Sequence, residues 1–277
     1  MRIDAIGWRA AAALGDDAGE ARVLATLRAS IYVEVAGEVL WIASTDATRH
    51  ARAIHVADVP TMRGDGAPLE AGDAVRLPSA CGLRPWRPDA GPFTATAAGA
   101  LRRGAARLAP RVAMLGPPRG FGAWLLGAPL PFPLDACGAR ANVLASACAA
   151  NDPTRAAAAA RALVGLGPGL TPAGDDFTGG AFFARATLAR AGAIDAIAWR
   201  AAARAVRSAA TRLTHPIGAA LLGDLLDGDG WAPLHDLARA LAHEDDATAL
   251  DAARRLTQLG HSSGWDLLAG FIAGARG

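Results

Sequence analysis

The chain has 277 residues, a formal net charge of +2, and 52% hydrophobic against 19% charged residues. That length allows one large or two ordinary domains with a sizeable core. A balance this near neutrality, with no long block of like charge, argues against a dedicated nucleic-acid surface. Cys81, Cys137 and Cys148 form no CxxC pair and no His/Cys cluster, so neither a zinc site nor a disulfide framework is expected, and a reduced, cytoplasmic setting is the natural reading. Asp4, Asp16 and Asp17 flank only a short apolar run, unlike a signal peptide. No uncharged apolar run of ~20 residues is present, so no membrane span is expected.

The first half reads as β-rich. The β-branched and aromatic runs Ser30–Ala36 and Glu38–Ala43 flank Gly37, the pattern of a hairpin. Ala53–Ala57, Ala74–Leu77 and Phe93–Ala98 are further strand candidates, separated by stretches such as the Pro-rich Arg84–Pro92. Many short strands between Gly/Pro turns predict a small barrel or sandwich, with one helix over Leu101–Leu108.

Beyond Pro129–Pro133 the texture changes. Alanine and leucine recur at helical spacing, predicting helices over 139–150, 153–163, 175–191, 194–212, 216–226, 233–243, 246–259 and 265–275. The expected fold is α+β, with a β-rich N-terminal domain over 1–135 and an all-helical domain over 136–277.

Two segments of the helical half stand apart. In Gly165–Gly180 (GLGPGLTPAGDDFTGG), Gly165, Gly167, Gly169 and Gly174 permit sharp bends, while Pro168 and Pro172 stiffen the loop. Thr171 followed by Pro172 reads as an N-cap with proline at the first helical position, which puts Asp175 and Asp176 in the first turns of a helix. The second segment is Gly260–Gly274 (GHSSGWDLLAGFIAG), where Ser263 and Asp266 fit a capping box. Superposed, Gly174–Gly180 and Gly264–Gly270 share Gly-x-Asp-apolar-x-x-Gly, matching Asp176 to Asp266 and Gly180 to Gly270. Two similar loop-to-helix units are inferred. Gly179, Gly180, Ala269, Gly270 and Gly274 would let their helices pack closely and bring the aspartates together. Ordinary capped helices with small-residue faces are the competing explanation.

Residues 165–176 (GLGPGLTPAGDD) together with 260–270 (GHSSGWDLLAG) closely resemble the AllH-like family. The resemblance is firm over about 138–277 and only general before that. It implies a link to oxamate carbamoyltransferase, which converts oxalurate and phosphate to oxamate and carbamoyl phosphate, and of which the namesake is one of three different subunits. Partners implied are therefore a small anionic substrate, such as a ureido acid, with phosphate, and the other subunits of a hetero-oligomeric complex.

Carbamoyl transfer to phosphate needs donors for anionic oxygens and a place for phosphate. Backbone N–H groups around Gly167, Gly169, Thr171 and Gly174 can supply them at a helix start, while Ser262 and Ser263 of the second turn either cap the helix, the commoner role, or bind ligand. Asp175 and Asp176 repel phosphate unless a cation or an arginine intervenes, leaving two roles open: binding Mg²⁺, or accepting hydrogen bonds from a ureido N–H. His261 is a candidate oxyanion donor or proton shuttle, and Asp266 joins the catalytic set by its match to Asp176. His215 has the same chemistry with weaker support. Arg200, Arg204 and Arg207 share one helical face, usually a solvated one, with anion binding as the alternative. A non-catalytic assembly subunit and a self-sufficient metal-dependent hydrolase or transferase are the alternatives to a carbamoyltransferase subunit.

Overall fold

A computed structural model describes residues 1–15, 19–89 and 93–276, so Asp16, Asp17 and the end of the Arg84–Pro92 stretch lie outside the described residues. Contacts divide the chain into two units, Met1–Pro88 and Asp89–Gly277. The change of texture near residue 135 lies inside the second.

The first unit is a curled six-stranded sheet with one helix. Its strands are β1 (Ile3–Ile6), β2 (Gly19–Thr26), β3 (Ser30–Val35), β4 (Glu38–Ser44), β5 (Ala53–Val56) and β6 (Ala74–Leu77), in spatial order β1-β5-β4-β3-β2-β6. Every pairing is antiparallel except β4 with β5. The hairpin turns through Ala36 and Gly37, both at positive φ (50° and 82°), the conformation of a two-residue turn that follows strand twist. Helix α1 (Trp8–Leu14) sends Ala10 and Leu14 into a core with Ile6, Val23, Leu40 and Ile54.

In the second unit α2 (Ala95–Leu108) corrects one expectation, because Phe93–Ala98 is not a strand. The Thr94 side chain accepts from Ala97 N at 3.2 Å, starting a helix where β-propensity alone suggested extension. There follow α3 (Phe121–Leu125), α4 (Gly138–Ala149), α5 (Pro153–Arg161), α6 (Ala173–Arg190), α7 (Ala196–Leu213), α8 (Pro216–Leu226), α9 (Ala232–Ala242), α10 (Asp246–Thr257) and α11 (Ser263–Ala275). Helices α6 and α11 are buried on nearly every side and pack against each other, α6 even burying charged side chains such as Asp175, Asp176 and Arg185.

The α6–α11 crossing is set by missing side chains. A β-carbon at Gly180 would lie 2.2 Å from the Leu267 carbonyl oxygen, one at Gly270 2.0 Å from that of Phe177, and one at Gly274 2.2 Å from that of Ala181. Because Gly274 and Ala181 lie four residues beyond Gly270 and Phe177, the helices run parallel and their N-termini meet at one end. Gly179 does not share this contact, since it faces Leu225 of α8.

Candidate functional site

The two glycine-rich turns enter equivalent helices. Gly174 at the start of α6 is pressed against the Leu163 carbonyl after α5, and Gly264 at the start of α11 against the Leu256 carbonyl of α10. Gly165 and Gly260 bend the two turns at positive φ, 80° and 57°. The contact of Gly180 with Leu267 and that of Gly270 with Phe177 exchange partners under one shift along the sequence, as a local two-fold axis requires. The inferred pair of loop-to-helix units is therefore a structural repeat, and Asp176 and Asp266 are its equivalent residues.

The adjacent carboxylates separate in role. Asp175 is 2% exposed; its Oδ1 accepts from Gly165 N at 2.7 Å and its Oδ2 accepts from the Thr214 hydroxyl. Both oxygens are thus used to tie the loop to the end of α7. Burial still raises its pKa, with those two bonds opposing the shift. Asp176 turns to Asp266 instead. Burial first and the Asp266 carboxylate second hold Asp176 well above the usual carboxylate range, while the Ser263 side chain opposes the shift. Burial pushes Asp266 up to about 7, against the hydrogen bond that it accepts from Phe121 N at 2.6 Å. Oδ2 of each residue is buried without a hydrogen-bond partner. Two carboxylates in the first turns of parallel helices gain from both macrodipoles, but that does not replace lost hydration.

Two cap assignments change accordingly. Thr171 is not the N-cap of α6; Pro172 occupies that position, and its carbonyl accepts from Asp175 N and Asp176 N. The Thr171 hydroxyl instead reaches the Ser263 hydroxyl at 3.2 Å, joining the two loops. Ser263 and Asp266 form no capping box, because Ser262 is the N-cap and the Asp266 side chain bonds Phe121. Gly120 lies so near that a β-carbon there would be 2.1 Å from Asp266 Oδ1.

Around the carboxylates lie further helix starts. Gly218, in the first turn of α8, would place a β-carbon 2.8 Å from Asp175 Oδ2 and 3.0 Å from the Leu170 carbonyl. His215 caps α8, with Nδ1 accepting from Ile217 N at 3.2 Å, which satisfies it structurally. His261 is exposed, and its carbonyl accepts from Arg119 Nη1 at 2.9 Å, fixing an arginine on the rim. Gly167 is packed against Ala173 N, whereas Gly169, at φ 96°, faces open space. Among the described residues no backbone group accepts from the N–H of Gly167, Gly169, Leu170 or Thr171.

Sequence reading found no signal for Gly120 and Phe121, which approach Asp266 from more than 140 positions away, or for Arg119, which reaches the His261 carbonyl; the Gly120-Phe121 step carries no motif by itself. Among the described residues no group of three or more His, Cys, Asp or Glu is placed to hold a metal ion. No helix among them is long and apolar enough to cross a membrane.

Residues 163–275 match the family model described as oxamate carbamoyltransferase subunit AllH. The match begins just before the first glycine loop and ends with α11, so it takes in both halves of the repeat. No curated protein and no solved structure shows a significant match to the chain.

Proposed function

We propose that this chain is the subunit of a carbamoyltransferase-type complex that binds a small ureido acid, such as oxalurate, at the two glycine turns, with phosphate as the second substrate. The observation that carries this reading is the buried pair Asp176 and Asp266, equivalent in a local repeat and each keeping one oxygen without a partner beneath two helix starts. The N–H groups of Gly167, Gly169, Leu170 and Thr171, which no backbone group accepts from, suit carboxylate or phosphate oxygens. Arg119 adds a positive charge at the rim. Ureido N–H groups are donors, and the two unpartnered carboxylate oxygens are acceptors in want of donors.

The same pair suits the chemistry. Phosphate attack on the carbamoyl carbon breaks its bond to the amide nitrogen, which must gain a proton as it departs. A carboxyl group held near 7 can carry that proton at neutral pH. Asp175 anchors the loop in this account and takes no part in the transfer. Ligand access to the buried pair requires the 165–172 and 260–263 turns, joined through the Thr171 and Ser263 hydroxyls, to part.

Co-purification of the chain with its partner subunits, followed by turnover of oxalurate and phosphate, tests the reading. Asp176→Asn and Asp266→Asn are expected to assemble normally and to lose turnover. Normal assembly with undiminished turnover would favour the non-catalytic assembly subunit. Turnover by the isolated chain would favour the self-sufficient enzyme.

A further inference from the structure

The arginine stripe on α7 is not a simple solvated face. It forms one wall of a cavity of 480 Å³ between α6, α7 and α8, within the range of small-molecule sites. Four guanidinium-bearing residues line it, Arg190, Arg200, Arg204 and Arg207, against a single carboxylate, Asp227. Arg207 is engaged, donating to Asp227 at 2.6 Å and to the Gly223 carbonyl at 2.7 Å. Arg200 and Arg204 have no ion-pair or hydrogen-bond partner among the described residues. The floor is apolar, formed by alanines of α6 and α7 with Leu226.

A deeper recess continues from that floor and is lined by Arg185 and Trp199. Arg185 is 1% exposed, lies over the Trp199 ring at 5.2 Å and donates to the Arg276 carbonyl, yet its Nε and Nη1 have no partner. Burying a guanidinium with two free donors is costly unless an acceptor arrives. The cavity therefore presents the unpaired guanidinium groups of Arg200 and Arg204 at its wall above an apolar floor, with the buried Arg185 behind that floor. Planar guanidinium forks match phosphate oxygens in pairs, and the apolar floor suits an organic body attached to that phosphate.

We infer that this cleft binds a small phosphorylated metabolite, at a site separate from the glycine turns. Ala186–Arg190 lie ten to fourteen residues along α6 from Asp176, about 15–20 Å at the helical rise. An occupant there cannot touch the Asp176–Asp266 pair, so it acts as an effector or as cargo for another subunit rather than as the reacting group.

Calorimetric titration of the purified chain with pyrophosphate and with adenosine monophosphate, using succinate as a dianion without phosphate, tests the inference. Saturable binding of a phosphorylated probe is expected, weakened at least tenfold in the Arg200→Ala/Arg204→Ala double variant. Arg119→Ala, on the rim of the other site, is expected to bind as the wild type does. These arginines are exposed, so the double variant retains its fold, checked by circular dichroism. No saturable binding up to millimolar probe, undiminished binding by the double variant, or loss of binding in Arg119→Ala would overturn the assignment. Succinate binding as tightly as pyrophosphate would overturn the phosphate class.

Discussion

Gly180 and Gly270 each lie against a carbonyl of the other's helix: a β-carbon would come within 2.2 Å of Leu267 O in one case and within 2.0 Å of Phe177 O in the other. This reciprocal contact draws α6 and α11 together along their backbones and places Asp176 beside Asp266 at their N-terminal ends.

Adding a methyl group at that crossing must push two buried helices apart. Gly270→Ala is expected to cost about 3 kcal/mol or more, at the upper end of overpacking effects. Gly169→Ala, at positive φ but facing open space, should cost only about 1 kcal/mol of backbone strain. Urea midpoints of the two variants give the comparison; similar losses would mean that the crossing yields more easily than this packing implies.

The carboxylate pair gives the stability curve an unusual slope. The Asp266 carboxyl is held up to about 7 in the folded chain but ionises near 3.9 when unfolded. Between those values the unfolded state binds fewer protons, so its contribution is fully present below pH ~4 and is lost as pH rises through ~7. Asp176, also raised, adds in the same direction. Melting temperature across pH 4.5–7.5 should therefore fall less steeply in Asp266→Asn than in the wild type, and an unchanged slope would count against a buried, mutually repelling pair.

Asp175 and Asp176 should behave oppositely despite being neighbours. Asp175→Ala removes the acceptor of Gly165 N and Thr214 Oγ1, leaving two part-buried donors unsatisfied at a cost of about 1 kcal/mol or more. Asp176→Asn relieves a buried like-charge contact, so at pH 8 its stability should match or exceed that of the wild type. Chemical denaturation of both at pH 8 decides the matter, and equal losses would contradict the division of roles.

Separation of the units is also testable. A fragment of residues 89–277 keeps α2, whose Leu101, Ala105 and Leu108 pack in one core with Leu237 and Leu241 of α9, and it keeps Phe121 N for Asp266. It should unfold cooperatively by far-UV circular dichroism. A fragment starting at 138 lacks both and should retain helical signal with a lower midpoint; equal midpoints would mean that 89–137 adds nothing to the helical core.

Local signals made much of this legible in the sequence. Alanine-rich periodicity predicted α4–α11 to within about two residues at most ends, because capping and turn residues bracket each helix, and Gly37 marked the hairpin. Strands β1 and β2 escaped notice: Ile3–Ile6 is short, and Gly19–Thr26 carries Glu20 and Arg22 in a weak alternation. The repeat of Asp176 and Asp266 was readable because it rests on a spacing within each unit. Which partner each side chain takes was not, since Thr171 meets Ser263, and Asp266 meets Phe121, across long sequence separations. Local capping rules see only the nearest few residues.

On the function proposed above, the Asp176–Asp266 pair beneath the glycine turns takes part in carbamoyl transfer. The most direct test of that role is carbamoyl phosphate formation from oxalurate and phosphate by the assembled complex, measured for the wild type and for Asp266→Asn at equal subunit content. Turnover by the wild-type complex is expected, with none by the isolated chain and a loss of at least a hundredfold in the variant, within the roughly 10²–10⁴ range ascribed to a positioned acid or base. Wild-type rates in the Asp266→Asn complex would contradict it.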